Sequence, residues 1–199
     1  ADARGVAFGL GRAKTFKGKG QDVGMSSGYI SYSPIKEFNI QFGQGKHFIG
    51  DGYRSMLLSD NSFNYPYLSL SLNLLDGKLF YKTVSAWMQT LERMPLSASP
   101  EALFKRKSGS FHYLSFKPKK QLEIGFFEGL IYRRYEDSVG EIAVDPAFYI
   151  PVIGVGSGLN ANNDENKVVI GINMNIVPIE NVKIYGQFVT DDFSRTGFQ

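Results

Sequence analysis

In two stretches of this sequence apolar side chains recur at every second position, and no other feature limits the fold as much. Leucine occupies every second position of Leu68–Leu74, and serine or asparagine lies between. In Lys167–Val177 the apolar positions run from Val168 to Ile176, with Gly171, Asn173 and Asn175 on the other side. Because successive side chains of a strand point to opposite faces, each stretch predicts a β-strand with one apolar face. Aromatic residues at 14% and 22 glycines also suit a β-rich chain.

The connections between the predicted strands alternate between short and long. About nine strands follow from the alternation, and they are Gly5–Gly11, Gly24–Ser33, Phe38–Phe42, Leu68–Leu74, Leu79–Thr90, Ser110–Lys117, Gln121–Arg133, Lys167–Val177 and Val182–Asp191. Short turns are predicted near Pro34, Asp76, Pro118 and Pro178. Long loops are predicted at residues 12–22, 46–66, 91–108 and 134–165.

Tight turns on one rim and long loops on the other are typical of transmembrane β-barrels. We therefore predict an all-β fold, an antiparallel transmembrane β-barrel. The alternative is a soluble β-sandwich or a lipocalin-like barrel, although a sandwich more often has long loops at both ends.

The strand count favours a barrel segment over a complete barrel. An odd number of up-and-down strands leaves the first and last strands parallel, whereas bacterial single-chain barrels close with an even number. The sequence also ends at Thr196–Gln199, without the terminal aromatic strand expected of such barrels. We therefore expect residues 1–199 to be one domain, an incomplete segment of a larger barrel.

Composition excludes several classes of protein. No run approaches the roughly 18 apolar residues of a membrane helix, and the absence of cysteine excludes a disulfide scaffold and thiolate chemistry. The net charge of +3 is too small to indicate a nucleic-acid partner. We expect no cofactor.

The segment from Gly43 to Leu68 has neither a helical nor a strand period, although it is rich in glycine, aromatic residues and single charges. Long irregular segments inside a compact domain are usually functional. Sugars bind to aromatic faces together with amide, carboxylate and guanidinium groups, so the candidate ligand-binding residues are Lys46, His47, Asp51, Tyr53, Arg54, Asp60, Asn61 and Tyr65. The alternative is that the loop plugs the barrel lumen and its charges pair with inward-facing groups. The two roles are compatible.

Catalysis is not expected. The only histidines are His47 and His112, and neither lies in a recognisable nucleophile motif. His112 alternates with Phe111 and Tyr113, so the expectation is a strand histidine that is either hydrogen-bonded within the protein or placed at the membrane interface. We predict no catalytic residue and no metal site.

Two further surface features follow from the predicted barrel. The basic run Lys105–Lys107 falls on a predicted external loop, where it would contact phosphate or acidic sugar, or would simply be solvated. Trp87 and Tyr132 lie near predicted strand ends, where they would join an aromatic girdle at the outer membrane interface.

Two long motifs resemble a known family. The run GQGKHFIGDGYRSMLLSDNSFNYPYLSL resembles the signature of the Wzi-like capsule-assembly and RemB-like gliding-motility family of Bacteroidetes. A second block, VDPAFYIPVIG followed by VVIGINMNIVPIENVKIYGQFVTDDF, is similar to the Asx-Pro, Tyr-x-Pro-Val loop and YGQF strand of that family. The resemblance implies an outer-membrane barrel of about eighteen strands. This sequence departs from the capsule branch of the family at His47–Gly52, where that branch has a Trp-Trp-Gly-Pro-Gly run. The two indole rings that could stack on a sugar are therefore missing here.

The resulting functional hypothesis is an outer-membrane protein of a Gram-negative bacterium that binds or anchors a surface polysaccharide or a surface partner. Its expected partners are outer-membrane lipid and lipopolysaccharide, with surface polysaccharide and other envelope proteins as candidates. The alternative is a structural accessory subunit of a multi-protein outer-membrane complex. The long plug-like loop argues against a third role, an open diffusion porin.

Overall fold

The computed structural model describes residues 6–7, 9–94, 104–160 and 166–191. Its strands are β1 Val6–Ala7, β2 Gly11–Phe16, β3 Gly20–Val23, β4 Gly28–Ile35, β5 Phe38–Gly45, β6 Tyr65–Leu74, β7 Leu79–Arg93, β8 Phe104–Lys119, β9 Leu122–Arg133, β10 Tyr135–Glu136, β11 Gly140–Glu141, β12 Lys167–Ile179 and β13 Val182–Asp191. A 3-10 turn, Pro146–Tyr149, and a short helix, α1 Val155–Asn160, precede β12.

Eight strands form one antiparallel sheet in the order β13-β12-β9-β8-β7-β6-β5-β4. Strands that follow one another along the chain pair with one another, apart from the small hairpin β10–β11, so the sheet is an up-and-down meander. Among the described strands, β4 and β13 form its two edges and the sheet is not closed. The predicted all-β, antiparallel architecture is therefore confirmed, whereas the predicted barrel is not.

The predicted alternation of connection lengths is present in the main sheet. Short connections join β4 to β5, β6 to β7, β8 to β9 and β12 to β13. The turn after β6 has positive φ at Leu75 and Asp76, and the Gly77 amide donates to the Leu74 carbonyl at 3.2 Å. Positive φ at both central residues gives the tight hairpin turn whose twist matches that of the strands.

The predicted loop at residues 12–22 is wrong, because most of it is a hairpin. Lys17 and Gly18 have positive φ values of 49° and 67°, and the Lys19 amide donates to the Phe16 carbonyl at 3.1 Å. The lysine and glycine run is thus a hairpin turn between β2 and β3. These strands and β1 form a separate three-stranded sheet, so the main sheet has eight strands and not nine.

Two other predicted loops contain regular secondary structure. The predicted loop at 91–108 is too long, since β7 continues to Arg93 and β8 begins at Phe104, which places Lys105–Lys107 on a strand. Ion pairs such as Lys105 with Glu92 at 3.2 Å hold this extension together. The predicted loop at 134–165 contains β10, β11, the 3-10 turn and α1. Residues 95–103, 161–165 and 192–199 lie outside the described residues.

The register separates the sheet into two chemically different faces. We call the row face the side on which the apolar rows align across the strands; it carries Ile40, Phe42, Leu68, Leu70, Leu72, Phe126, Ile172, Met174, Ile184 and Phe188. We call the opposite side the loop face; it carries Gln41, Ser69, Val84, Phe111, Phe127, Gly171, Asn173, Asn175 and Gln187. The predicted sidedness of both alternating stretches is therefore confirmed.

Candidate functional site

The central loop, residues 46–64, lies across the loop face of the sheet. Its Ile49 and Leu57 are buried in one cluster with Tyr67, Phe111 and Phe127 of the strands. A backbone hydrogen bond of 2.9 Å from Ile49 to Leu58 joins the two arms of the loop. The loop is thus a docked element with an apolar underside.

A glycine on β12 makes room for this docking. A Cβ atom at Gly171 would clash with the Leu57 side chain and would lie 3.2 Å from the Phe188 carbonyl oxygen. Because glycine has no side chain, Leu57 can lie directly against the strand. The close approach is the kind of contact for which strand glycines are used.

Asp51 is the main polar anchor of the central loop. Its Oδ2 accepts hydrogen bonds from Asn173 Nδ2 at 2.7 Å and Asn175 Nδ2 at 2.8 Å, and its Oδ1 pairs with the Lys183 ammonium. The Asp51 backbone amide donates to Asn173 Oδ1 at 3.2 Å. Burial alone would raise the pKa of Asp51, but hydrogen bonds from Lys183, Asn173 and Asn175 outweigh it, so the pKa is lowered from its usual value.

Gln187 on β13 provides a second anchor beside Asp51. Its Oε1 accepts from the Met56 backbone amide at 2.9 Å, and its Nε2 lies 3.3 Å from Ser55 Oγ and 3.1 Å from Asn173 Oδ1. Ser55 Oγ in turn accepts from the Leu57 amide at 3.0 Å. The loop backbone therefore obtains from the sheet the hydrogen bonds that it cannot make within itself.

His47 is buried at the start of the central loop. Its Nδ1 lies 3.4 Å from the Tyr65 hydroxyl, and its ring meets the Tyr67 ring edge-on with centroids 4.2 Å apart. Burial, with a smaller contribution from the charge of Lys82, lowers the pKa of His47 to about 4. The imidazole is therefore neutral at pH 7, as a histidine packed among aromatic rings should be.

The structure divides the predicted ligand-binding residues into two groups. Contacts with the rest of the protein hold Lys46, whose ammonium donates to the Gly9 carbonyl, as well as His47, Asp51 and Tyr65. The other predicted residues are exposed at the surface of the loop, and they are Tyr53, Arg54, Asp60 and Asn61.

Among the four exposed residues, Tyr53 and Arg54 are the pair whose side chains lie side by side. Tyr53 is 90% exposed, and the Arg54 guanidinium lies 5.8 Å from the centre of its ring. Asp60 and Asn61 lie in a separate turn, in which the Asn61 amide donates to Ser59 Oγ at 3.3 Å. An aromatic face beside a guanidinium can stack a flat group and donate hydrogen bonds to an acceptor.

The residues that hold Asp51 were not among the sequence candidates. Asn173, Asn175, Lys183 and Gln187 follow the central loop by more than a hundred positions. Alternation already placed Asn173 and Asn175 on one face, and Lys183 and Gln187 on one face of the next strand. The sequence alone did not indicate that the central loop would contact this polar face.

A second polar cluster is buried on the row face. His112 Nε2 lies 2.9 Å from Ser110 Oγ, and His112 Nδ1 lies 2.9 Å from the Tyr81 hydroxyl, which donates to the Pro151 carbonyl at 2.8 Å. Because the hydroxyl proton of Tyr81 goes to Pro151, Nδ1 carries the imidazole proton and Nε2 accepts from Ser110. The prediction of a hydrogen-bonded His112 is confirmed.

Glu128 explains the interruption in the apolar row of β9. Its two carboxylate oxygens accept the backbone amides of Gly154 at 2.8 Å and Ser157 at 2.9 Å. These amides belong to the segment from Pro146 to Asn160, which covers the polar cluster and which we call the cap. The acidic residue therefore fastens the cap to the sheet.

The predicted place of Tyr132 in an aromatic girdle is wrong, because the cap buries it. Phe148 of the cap is fully buried, and its ring centroid lies 5.6 Å from that of Trp87 and 5.9 Å from that of Tyr132. Tyr132 is only 1% exposed. Tyr132 is therefore buried under the cap, and Trp87, which is partly buried, packs against the cap.

Comparison with known proteins identifies no family. No family model matches the sequence, and no curated protein matches it. A solved structure of the NanC porin is similar to the chain with a TM-score of 0.49 and 10% sequence identity, over 81% of this chain and 63% of that chain. The chain thus spans 63% of the length of that porin. In the described residues no helix is long and apolar enough to cross a membrane.

Replacing Asp51 should release the central loop. Because the sequence contains no cysteine, Leu57→Cys introduces a single thiol at a position that is 7% exposed. Hydrogen bonds to charged groups contribute about 1.5–3 kcal/mol each, so adding Asp51→Asn should raise the rate of maleimide labelling at position 57 by about tenfold or more. The control is Asp60→Asn, which changes an exposed carboxylate of the same loop. Equal labelling rates in the two variants would show that Asp51 is not the anchor.

Acidification should destabilise the protein in two separate pH windows. The folded pKa of His47 is about 4, below its ordinary 6.5, so its contribution is complete above pH 6.5 and is lost as the pH falls towards 4. The pKa of Asp51 is lowered from 3.8, so its contribution is lost only below that pH. Urea titration at a series of pH values should show that His47→Gln flattens the upper window and Asp51→Asn leaves it intact. The reverse pattern would refute the assignment.

Proposed function

We propose that the chain forms part of an outer-membrane β-barrel of a Gram-negative bacterium, with the row face against hydrocarbon and the loop face towards the barrel interior. The observation that supports this most is the exposed apolar surface on the flanks of the row face. Phe42 is 59% exposed on one flank, and Ile184 and Phe188 are 60% and 65% exposed on the other. These exposed fractions mean that no other described part of the chain covers the three side chains.

Exposed apolar surface of this extent is unusual on a protein surrounded by water. Contiguous apolar patches larger than a few hundred Å² generally mark an interface with another protein or with a membrane. On this sheet the apolar side chains recur at every second residue, as on the lipid-facing side of a barrel strand. Lipid contact therefore accounts for both their exposure and their spacing.

Outside the apolar cluster on which the central loop packs, the loop face has the polar composition expected of a barrel interior. Asparagine, glutamine, serine and glycine alternate with the apolar rows along β5, β6 and β12, and the central loop covers much of this side. Porin-like interiors are polar, and loops often fill them. The proposal therefore assigns the central loop to the lumen as a plug.

The cap is compatible with lipid on the same face. Polar groups in contact with hydrocarbon must be satisfied within the protein. Under the cap, both ring nitrogens of His112, the Tyr81 hydroxyl and both oxygens of Glu128 have hydrogen-bond partners. The cap thus shields the one strongly polar area of the row face.

For the biochemical role, we propose non-catalytic binding or anchoring of a surface polysaccharide or a surface partner, as in capsule-assembly and gliding-motility proteins. Two features support it: the resemblance of the central segment to the Wzi-like and RemB-like family, and the exposed Tyr53 and Arg54 pair on that segment. The second candidate is a structural accessory subunit of an outer-membrane complex. The unpaired edges of β4 and β13 in the described sheet favour it, since exposed edges readily accept further strands.

Spin labels along β6 should distinguish lipid from water on the row face. Single cysteines replace Leu70 or Leu72, with Ser71 as the matched position on the opposite face. In reconstituted vesicles, oxygen should relax the labels at 70 and 72 more than a water-soluble nickel complex does, and this preference should be absent at 71. Strong relaxation by nickel at 70 and 72 would place the row face in water and would remove the membrane assignment.

Glycan binding should depend on the exposed pair of the central loop. The purified protein in detergent should bind at least one surface polysaccharide on a glycan array, and Tyr53→Ala with Arg54→Ala should weaken that binding about tenfold or more, the loss expected for an aromatic and a guanidinium contact. Asp76→Asn, at a turn on the opposite rim, is the control. Absence of glycan binding together with stoichiometric co-purification of another envelope protein would favour the accessory-subunit role.

A further inference from the structure

Three basic side chains from neighbouring strands meet on the loop face at the rim where the long connections lie. Lys107 of β8 is directly opposite Arg133 of β9, and Lys167 of β12 is opposite Ile131, two residues before Arg133. Adjacent strands lie about 4.8 Å apart and residues rise about 3.3 Å along a strand. The three side chains are therefore within reach of one another.

The acidic residues at this rim form ion pairs with Lys105 and Arg106. The Lys105 ammonium lies 3.2 Å from a Glu92 carboxylate oxygen and 2.9 Å from an Asp137 one, and Arg106 lies 3.5 Å from Glu141. Lys105 and Arg106, the first two residues of the basic run, therefore have carboxylate partners. These ion pairs do not include Lys107, the third residue of the run.

The central cation of the group also has a carboxylate beside it. Arg133 lies 3.6 Å from a Glu136 carboxylate oxygen. In contrast, no carboxylate of the described residues lies within ion-pair distance of Lys107 or Lys167. Among the described residues, these two lysines therefore have no counter-charge.

The two lysines repel each other at this position. Lys107 is partly buried, and Lys167 is close enough for its charge to act on Lys107. Like charges held close together at a partly buried site cost free energy, and an anion between them would offset that cost. An ammonium group recognises phosphate or carboxylate as a compact charge with three donors.

We infer that Lys107 and Lys167 form an oxyanion site that takes a phosphate or carboxylate group of an acidic glycan. The identification of the carrier as a glycan rests on the proposed function; the oxyanion chemistry rests on the two lysines alone. The site lies on the same face and at the same rim as the two ends of the central loop.

The test compares binding of three probes to the full chain in detergent: a polygalacturonate oligosaccharide, a neutral dextran oligosaccharide of equal length, and inorganic phosphate. Binding of the oligosaccharides is measured by calorimetry. Phosphate binding is followed by NMR on reductively methylated lysines, with the signals of 107 and 167 assigned by substitution. The variant is Lys107→Met with Lys167→Met. The matched control is Lys105→Met, which removes a lysine of the same strand and face that already has two carboxylate partners.

We expect the protein to bind the acidic oligosaccharide and not dextran. The double variant should lose about tenfold or more in affinity for the acidic oligosaccharide, whereas Lys105→Met should bind it almost as tightly as the wild type. Saturable phosphate shifts at 107 and 167 without any glycan binding would support the oxyanion site and would reject the proposed glycan role. Glycan binding that the double variant retains in full would overturn the site and leave the proposed function standing. No response to any of the three probes would overturn both.

Discussion

The contact of Asp51 with β12 and β13 is the constraint on which the arrangement of the functional surface depends. One carboxylate group accepts hydrogen bonds from Asn173 and Asn175 and pairs with Lys183, which are 122, 124 and 132 residues away in the sequence. The contact fixes the central loop across one face of the sheet. His47 is buried as a consequence, and Tyr53 is left at the surface.

The sheet is covered on both faces, but by different chemistry. The central loop packs Ile49 and Leu57 on an apolar cluster of the loop face, whereas the cap brings backbone amides to Glu128, a polar residue in an apolar row. Each covering segment therefore matches the part of the face that it covers. The flanks of the row face remain bare, and their apolar side chains alternate with the same period as the strands that carry them.

The sequence allowed the strands and their sidedness to be predicted, since a period of two residues is a local property. It also allowed the short turns to be placed. Local patterns misjudged the run around Lys17, where a turn with positive φ looked like an open loop, and Lys105–Lys107, where ion pairs across strands extend the hairpin.

The tertiary contacts of the two long connections could not be predicted from the sequence. Trp87 and Tyr132 were assigned to an outer girdle because nothing in the sequence placed Phe148 over them. For the candidate site, the plug alternative foresaw that charges of the central loop pair with groups of the sheet, as Asp51 does. It could not say which charges, because that depends on how β12 and β13 are placed relative to the loop. Asp60 has the same chemistry as Asp51 and stays exposed.

We propose that the alternating apolar rows belong to a membrane-spanning barrel. The most direct test is the electrophoretic mobility of the full-length protein, extracted in mild detergent and run before and after boiling. An intact barrel resists detergent, so we expect the unboiled protein to migrate differently from the boiled protein. Identical mobility of the two samples would contradict the membrane assignment and would favour a fold that buries these rows in water.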